Sequence, residues 1–143
     1  EAVLKWVSKN TNFTKDQIVI YGESLGSGVA VELGTRYNFL SIVLEAPFTS
    51  IYDIANKRYK IYPTKYLVKD KFDNLSKIDR LKSPLLILSG KKDEIVPHHH
   101  SLLLLNKAKV LKKGVFIDEA IHNNLYDHGI ENDVIAFNLN LWK

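Results

Sequence analysis

Four short apolar runs, Gln17 to Tyr21 (QIVIY), Ser41 to Glu45 (SIVLE), Leu85 to Ser89 (LLILS) and Gly114 to Ile117 (GVFI), alternate with helical stretches, and that alternation constrains the fold more than any other feature. Runs this short, rich in β-branched and large apolar side chains, read as buried strands. The intervening periodicity predicts helices over Leu25 to Tyr37, His98 to Lys109 and Asn132 to Trp142, and an amphipathic stretch at Glu1 to Ser8 with Val3, Leu4 and Val7 on one side. A strand, a helix and a second strand in that order require a right-handed crossover and pair in parallel. The expectation is an α/β fold, a parallel sheet of about four strands with helices on both faces.

At 143 residues, 45% hydrophobic and 25% charged, the chain has the composition of one globular unit and of neither a disordered nor a fibrous class. There is no cysteine, which excludes disulfides, thiolate catalysis and zinc–thiolate sites and leaves the redox compartment open. No apolar run approaches the roughly 20 residues that span a bilayer. Methionine is absent even at position 1, so the natural start is expected upstream, where any signal or anchor would lie. A cytoplasmic or membrane-associated protein is the favoured expectation. The Gln17 strand is the first one visible, and its open side is expected to pair with strands preceding Glu1.

The net charge of +4 is carried mainly by lysine, with Arg36, Arg58 and Arg80 the only arginines, a balance that argues against nucleic-acid binding. The densest basic stretch, Lys57 to Lys71, interleaves five lysines and Arg58 with Tyr59, Tyr62 and Tyr66. Its ordinary reading is a solvated helical face, and its functional one is peripheral association with an anionic membrane. Oligomeric state is open.

Gly22-Glu23-Ser24-Leu25-Gly26 falls on the turn between the first strand and the first long helix. A serine on so sharp a turn takes a strained backbone conformation, and side chains two residues to either side would collide with neighbouring backbone, which is the expected reason for Gly22 and Gly26. The hydroxyl is left at the carboxyl end of the sheet, facing the positive end of a helix. The amide of Leu25 becomes an expected oxyanion donor.

Reactive groups of open parallel sheets collect at the carboxyl ends of strands, which selects Asp93, in the loop after the third strand, and His122, after the fourth. A serine hydroxyl needs a base to take its proton, a role for His122, and a carboxylate behind the ring fixes the tautomer, a role for Asp93. Glu94 and His128 are the rivals for these two positions. The run His98-His99-His100 invites a metal reading, but side chains about 100° apart on a helix do not converge on one ion, and no metal or other cofactor is expected.

Serine, aspartate and histidine in this order, each following a successive strand, resemble the alpha/beta-hydrolase superfamily. The segments Tyr21 to Gly28, Glu45 to Ser50, Ser89 to Pro97 and His122-Asn123 are similar to its abhydrolase-domain serine hydrolases, a branch with thioesterase-like and lipid-hydrolysing members. The resemblance covers nearly the whole chain and corresponds to the second half of that fold. It implies a single domain over 1–143, N-terminally incomplete, with 49–79 as a lid-like helical excursion. It also implies cleavage of an ester or thioester through an acyl-enzyme, on a small-molecule or lipid acyl substrate. Phe48, Tyr52 and Tyr66 are candidate acyl-pocket residues, with core packing as the alternative for each. Two departures stand out: Glu119 occupies a position where the family usually has glycine, and the first half, which supplies a second oxyanion donor, is missing. An interaction module that retains the three residues without an assembled site is therefore the alternative function, and a peptidase of the same superfamily is a third.

Overall fold

The structure, a computed structural model, describes residues 1–58 and 72–142, with 57 and 58 by backbone alone. Helix α1 (Ala2–Asn10) leads through a 3-10 turn (Lys15–Gln17) into β1 (Val19–Glu23), followed by α2 (Gly26–Arg36), β2 (Ser41–Glu45) and α3 (Ile51–Arg58). A second 3-10 turn (Ile78–Arg80) precedes β3 (Leu85–Gly90), α4 (His99–Lys107) and β4 (Lys112–Ile117). A third (Leu125–His128) enters α5 (Ile130–Leu139). The four strands lie in sequence order β1-β2-β3-β4, all parallel, as the alternation of runs requires.

Both central strands are buried along their whole length, which is why they are unbroken apolar runs. Because side chains alternate across the pleat, Ile42, Leu44, Leu85 and Ile87 pack on one face with Ala30 and Val31 of α2 and Leu104 of α4. Val43, Leu86 and Leu88 pack on the other with Ile130 and Phe137 of α5. A hydrogen bond of 2.5 Å from Ser41 Oγ to Asn138 Oδ1 ties α5 to the start of β2. Helices thus cover both faces, and every strand delivers its carboxyl end to the same edge.

Three element starts move by two residues from their sequence expectations. The first strand begins at Val19 because Gln17 is spent on the preceding turn, where its Oε1 accepts the Thr14 N–H at 3.0 Å. The fourth begins two residues before its apolar run, since Lys112 and Lys113 pair with Leu85 and Leu86 through backbone alone. The last helix starts at Ile130, released by Gly129 at φ 77°. The excursion after β2 is closed at its base: Leu75 N–H donates to Thr49 O at 3.0 Å and Asn74 Nδ2 to Phe48 O at 2.9 Å. Residues 59–71 of that excursion, with Tyr66 and most of the basic stretch, lie outside the described residues. Among the described residues, no helix is long and apolar enough to cross a membrane.

Ile87 is completely buried at the sheet centre, whereas Leu111 is 64% exposed. Ile87→Ala is expected to cost about 2–5 kcal/mol by cavity formation. Leu111→Ala should stay within about 0.5 kcal/mol. Denaturant midpoints of the two variants check the difference.

Candidate active site

The site begins with a backbone bond. Ser24 N–H donates to the Glu45 carbonyl at 2.8 Å, continuing the β1–β2 ladder one residue past the end of β1 before α2 turns the chain away. Ser24 sits at φ 46°, in the left-handed region, at a cost of about 1–3 kcal/mol that the surrounding packing must offset. Gly22 makes the turn possible: a Cβ there would lie 2.7 Å from both the Ala30 Cβ and the Gly26 carbonyl oxygen. Gly26 does not play the part its position suggests. A Cβ at Gly26 would meet nothing within 4 Å, because the start of α2 faces open space. Leu25 forms the N-cap of α2, beside the serine.

Asp93 is fixed by its own loop. Its Oδ1 accepts the backbone N–H groups of Ile95 at 2.9 Å and Val96 at 2.8 Å, and its side chain is fully buried. This leaves Oδ2 to meet His122 Nδ1 at 2.7 Å. A carboxylate can only accept, so Nδ1 carries hydrogen, and Nε2, 3.0 Å from Ser24 Oγ, is left as the acceptor for the serine hydroxyl. The structure therefore brings Ser24, Asp93 and His122 together from three loops. The rivals Glu94 and His128 are both exposed and lie outside this chain of hydrogen bonds.

The aspartate and histidine loops are joined along their backbones. Lys91 N–H donates to Ile117 O at 2.9 Å and Lys92 N–H to Ala120 O at 3.0 Å. A Cβ on Gly90 would fall 2.2 Å from the Ala120 carbonyl oxygen, so glycine permits this approach. Lys91 pairs with Asp118 at 2.5 Å and holds its carboxyl below the usual range. Lys92 pairs with Glu119, the residue standing where the resemblance expects glycine. Both pairs are exposed and add little to stability beside the backbone contacts.

The remaining candidates are more scattered. Phe48 is buried with its carbonyl bound by Asn74, Tyr52 is half-buried on α3, and Tyr66 is outside the described residues. The three histidines do not converge on one point: His98 Nδ1 meets Ser89 Oγ at 2.9 Å, while the exposed His99 ring lies 4.2 Å from that of His100, which is buried with Nδ1 2.8 Å from Thr49 Oγ1. Burial, aided by nearby Lys91 and His99, pushes the His98 imidazole below its ordinary range. Among the described residues, no cluster of histidine, aspartate and glutamate is arranged to hold a metal ion.

Sequence reasoning passed over Glu45. Its residue is 3% exposed, and its Oε2 accepts a hydrogen bond of 2.5 Å from the Tyr21 hydroxyl, which lies 3.4 Å from that of Tyr126. Burial raises the Glu45 carboxyl above the usual range, with Glu23 adding to the rise, while the Tyr21 donor and the charge of His122 oppose it. Burial, together with Glu45 and Tyr126, drives the Tyr21 phenol far upward, so it stays a donor. The available signal was an acid closing an otherwise apolar strand run.

A parallel sheet that presents serine, aspartate and histidine from the carboxyl ends of its strands in this order has the architecture of the alpha/beta-hydrolases. Within that class, the chain belongs to the prolyl oligopeptidase family, which it matches over residues 1–135. It is 29% identical over 126 residues to the human alpha/beta hydrolase domain-containing protein 17B, covering 87% of this chain and 42% of that protein. An uncharacterized protein of Mycobacterium tuberculosis is 31% identical over 123 residues, covering 86% and 44% respectively. The chain thus spans less than half the length of these curated relatives. Acetyl xylan esterase 1 from Thermoanaerobacterium superposes with a TM-score of 0.76 at 18% identity over 99% of this chain and 50% of the esterase. The monoacylglycerol lipase of Paleococcus ferrophilus does so at 0.70 and 17% identity, over 99% and 72%. At such identities these likenesses establish the fold.

The glycine contrast gives a test. Gly22→Ala and Gly90→Ala, which force a Cβ against packed atoms, are each expected to lose about 2 kcal/mol or more. Gly26→Ala, with open space around it, should be neutral or slightly stabilising, within about 1 kcal/mol. Urea unfolding of the three variants distinguishes them.

Proposed function

We propose that the chain carries the nucleophile half of a serine hydrolase that cleaves an ester or thioester through an acyl-enzyme. The observation that carries this reading is the continuous path from Ser24 Oγ to His122 Nε2 at 3.0 Å and from His122 Nδ1 to Asp93 Oδ2 at 2.7 Å. Ser24 Oγ attacks the acyl carbon as its proton passes to Nε2, and the resulting imidazolium is stabilised by Asp93. The proton then goes to the departing alcohol or thiol. Water attacks the acyl-serine in the second half, giving its proton to Nε2, which returns it to Ser24 Oγ as the acid is released.

The amide of Leu25, at the start of α2, is the donor this reading assigns to the developing oxyanion. A second donor would come from a preceding segment of the domain. The reading extends to an apolar or lipid acyl group, with exposed Leu25 and Ile121 next to Ser24 and His122 in the chain. Family membership and the likeness to named esterases and a lipase support hydrolysis in general.

A fluorophosphonate probe is expected to label the folded full-length protein at Ser24, read by mass spectrometry of the labelled peptide. Ser24→Ala should abolish labelling, and Asp93→Asn should slow it roughly a thousandfold or more by releasing the histidine tautomer. Labelling that survives Ser24→Ala, or a folded full-length protein that takes up no probe, contradicts the reading.

A further inference from the structure

We propose that His98 and Ser89 are positioning residues for Asp93, a tether that fastens the exit of the aspartate loop to the sheet. The inference rests on the reading of Asp93 as the acid behind His122. The two halves of that loop are held differently. Its entrance is zipped to the histidine loop, with Lys91 N–H on Ile117 O and Lys92 N–H on Ala120 O. Its exit, 94–97, supplies the two amides that hold Asp93 Oδ1, and their position decides where Oδ2 points. Among the described residues, no backbone hydrogen bond joins that half to a strand. The polar link to the sheet comes from the next residue: His98 Nδ1 meets Ser89 Oγ at 2.9 Å, and the whole loop lies between these two side chains in the sequence.

The surroundings fix this contact from several sides. Ser89 falls on the same face of β3 as Leu85 and Ile87, beneath α4, and is buried. Its register partner on β4 is Phe116, and the His98 ring stands edge-on to the Phe116 ring, with centroids 4.7 Å apart and planes at 76°. One hydrogen bond and one ring contact therefore hold the imidazole at the N-terminus of α4. Its burial keeps it neutral near pH 7, so the tether needs no counter-ion. Two residues on, His100 ties the same helix start to the exit of β2. The Thr49 hydroxyl donates its one hydrogen to Asp53 Oδ2 at 2.5 Å, so toward His100 Nδ1, at 2.8 Å, it accepts. The histidine run thus has a use without a metal: its first and third members anchor the start of α4 to β3 and to the chain leaving β2. Release of the His98 anchor lets the Ile95 and Val96 amides move, and Asp93 Oδ2 loses its 2.7 Å approach to His122 Nδ1.

Ser89→Ala removes the tether and touches no group on the path from Ser24 to Asp93. In the folded full-length protein it is expected to slow fluorophosphonate labelling of Ser24 about fivefold or more, since small misplacements of a catalytic group cost up to about a hundredfold. It should also weaken or shift upfield the proton resonance of the hydrogen between His122 Nδ1 and Asp93. His98→Leu, which keeps bulk beside Phe116 and removes the polar atom, should do the same. The double variant should be no slower than the slower single one, because both break one contact. His98→Asn, which returns a polar atom to the place of Nδ1, should recover most of the rate and the resonance. A role in packing alone predicts additive losses and no recovery by asparagine. A loss below about fivefold with an unmoved resonance in Ser89→Ala, additive losses, or failure of His98→Asn to recover each overturns the proposal. Should Ser89→Ala not fold, the contrast between His98→Leu and His98→Asn makes the same decision. The resonance needs no turnover: a parent inert to the probe, with the resonance lost in Ser89→Ala and kept in His98→Asn, refutes the hydrolase reading alone. A labelled parent whose rate and resonance are unmoved by Ser89→Ala refutes the tether alone.

Discussion

The hydrogen bond from the Ser24 amide to the Glu45 carbonyl is the constraint from which the rest of the site follows. It carries the β1–β2 pairing one step beyond the last residue of β1, so the chain must leave the sheet at Ser24 rather than before it. The reversal into α2 is then completed within the turn itself, where Ser27 N–H bonds to Ser24 O at 3.0 Å and Gly28 N–H to Leu25 O at 3.2 Å. A residue held by the ladder on one side and by the first helical turn on the other has no room to relax from its left-handed conformation. Its hydroxyl consequently stands at the edge where the other strands end.

The same logic operates across the sheet. The aspartate and histidine loops are zipped by backbone hydrogen bonds from Lys91 and Lys92, and Gly90 lets the chains approach closely. Asp93 spends one oxygen on two amides of its own loop, which fixes the direction of the other. Backbone contacts of this kind are insensitive to salt, unlike the exposed lysine–carboxylate pairs above them. Site geometry is therefore a property of strand register and loop closure, and surface charge contributes little to it.

Much of this was legible in the sequence because the parallel sheet converts chain order into spatial order. Ser24, Asp93 and His122 each follow an apolar run, and three parallel strands bring such residues to one edge whatever their separation along the chain. Local signals were less faithful. Gln17 reads as strand by neighbourhood but serves a turn through its side chain, and Lys112 and Lys113 join β4 by backbone pairing that leaves no apolar mark. Gly26 looked like a steric necessity from its place in the motif, yet only three-dimensional packing reveals that the crowding is all at Gly22. Glu45 was concealed for the opposite reason: what accommodates its burial is the Tyr21 hydroxyl, which is not near it in sequence.

The central claim is that Asp93, His122 and Ser24 form one connected path in the folded protein, and proton NMR of the His122 ring tests it most directly. A hydrogen held between Nδ1 and a buried carboxylate at 2.7 Å should resonate well downfield of the amide envelope and vanish in Asp93→Asn while the fold persists. A spectrum with no such resonance, or one in which it survives replacement of Asp93, would contradict the account.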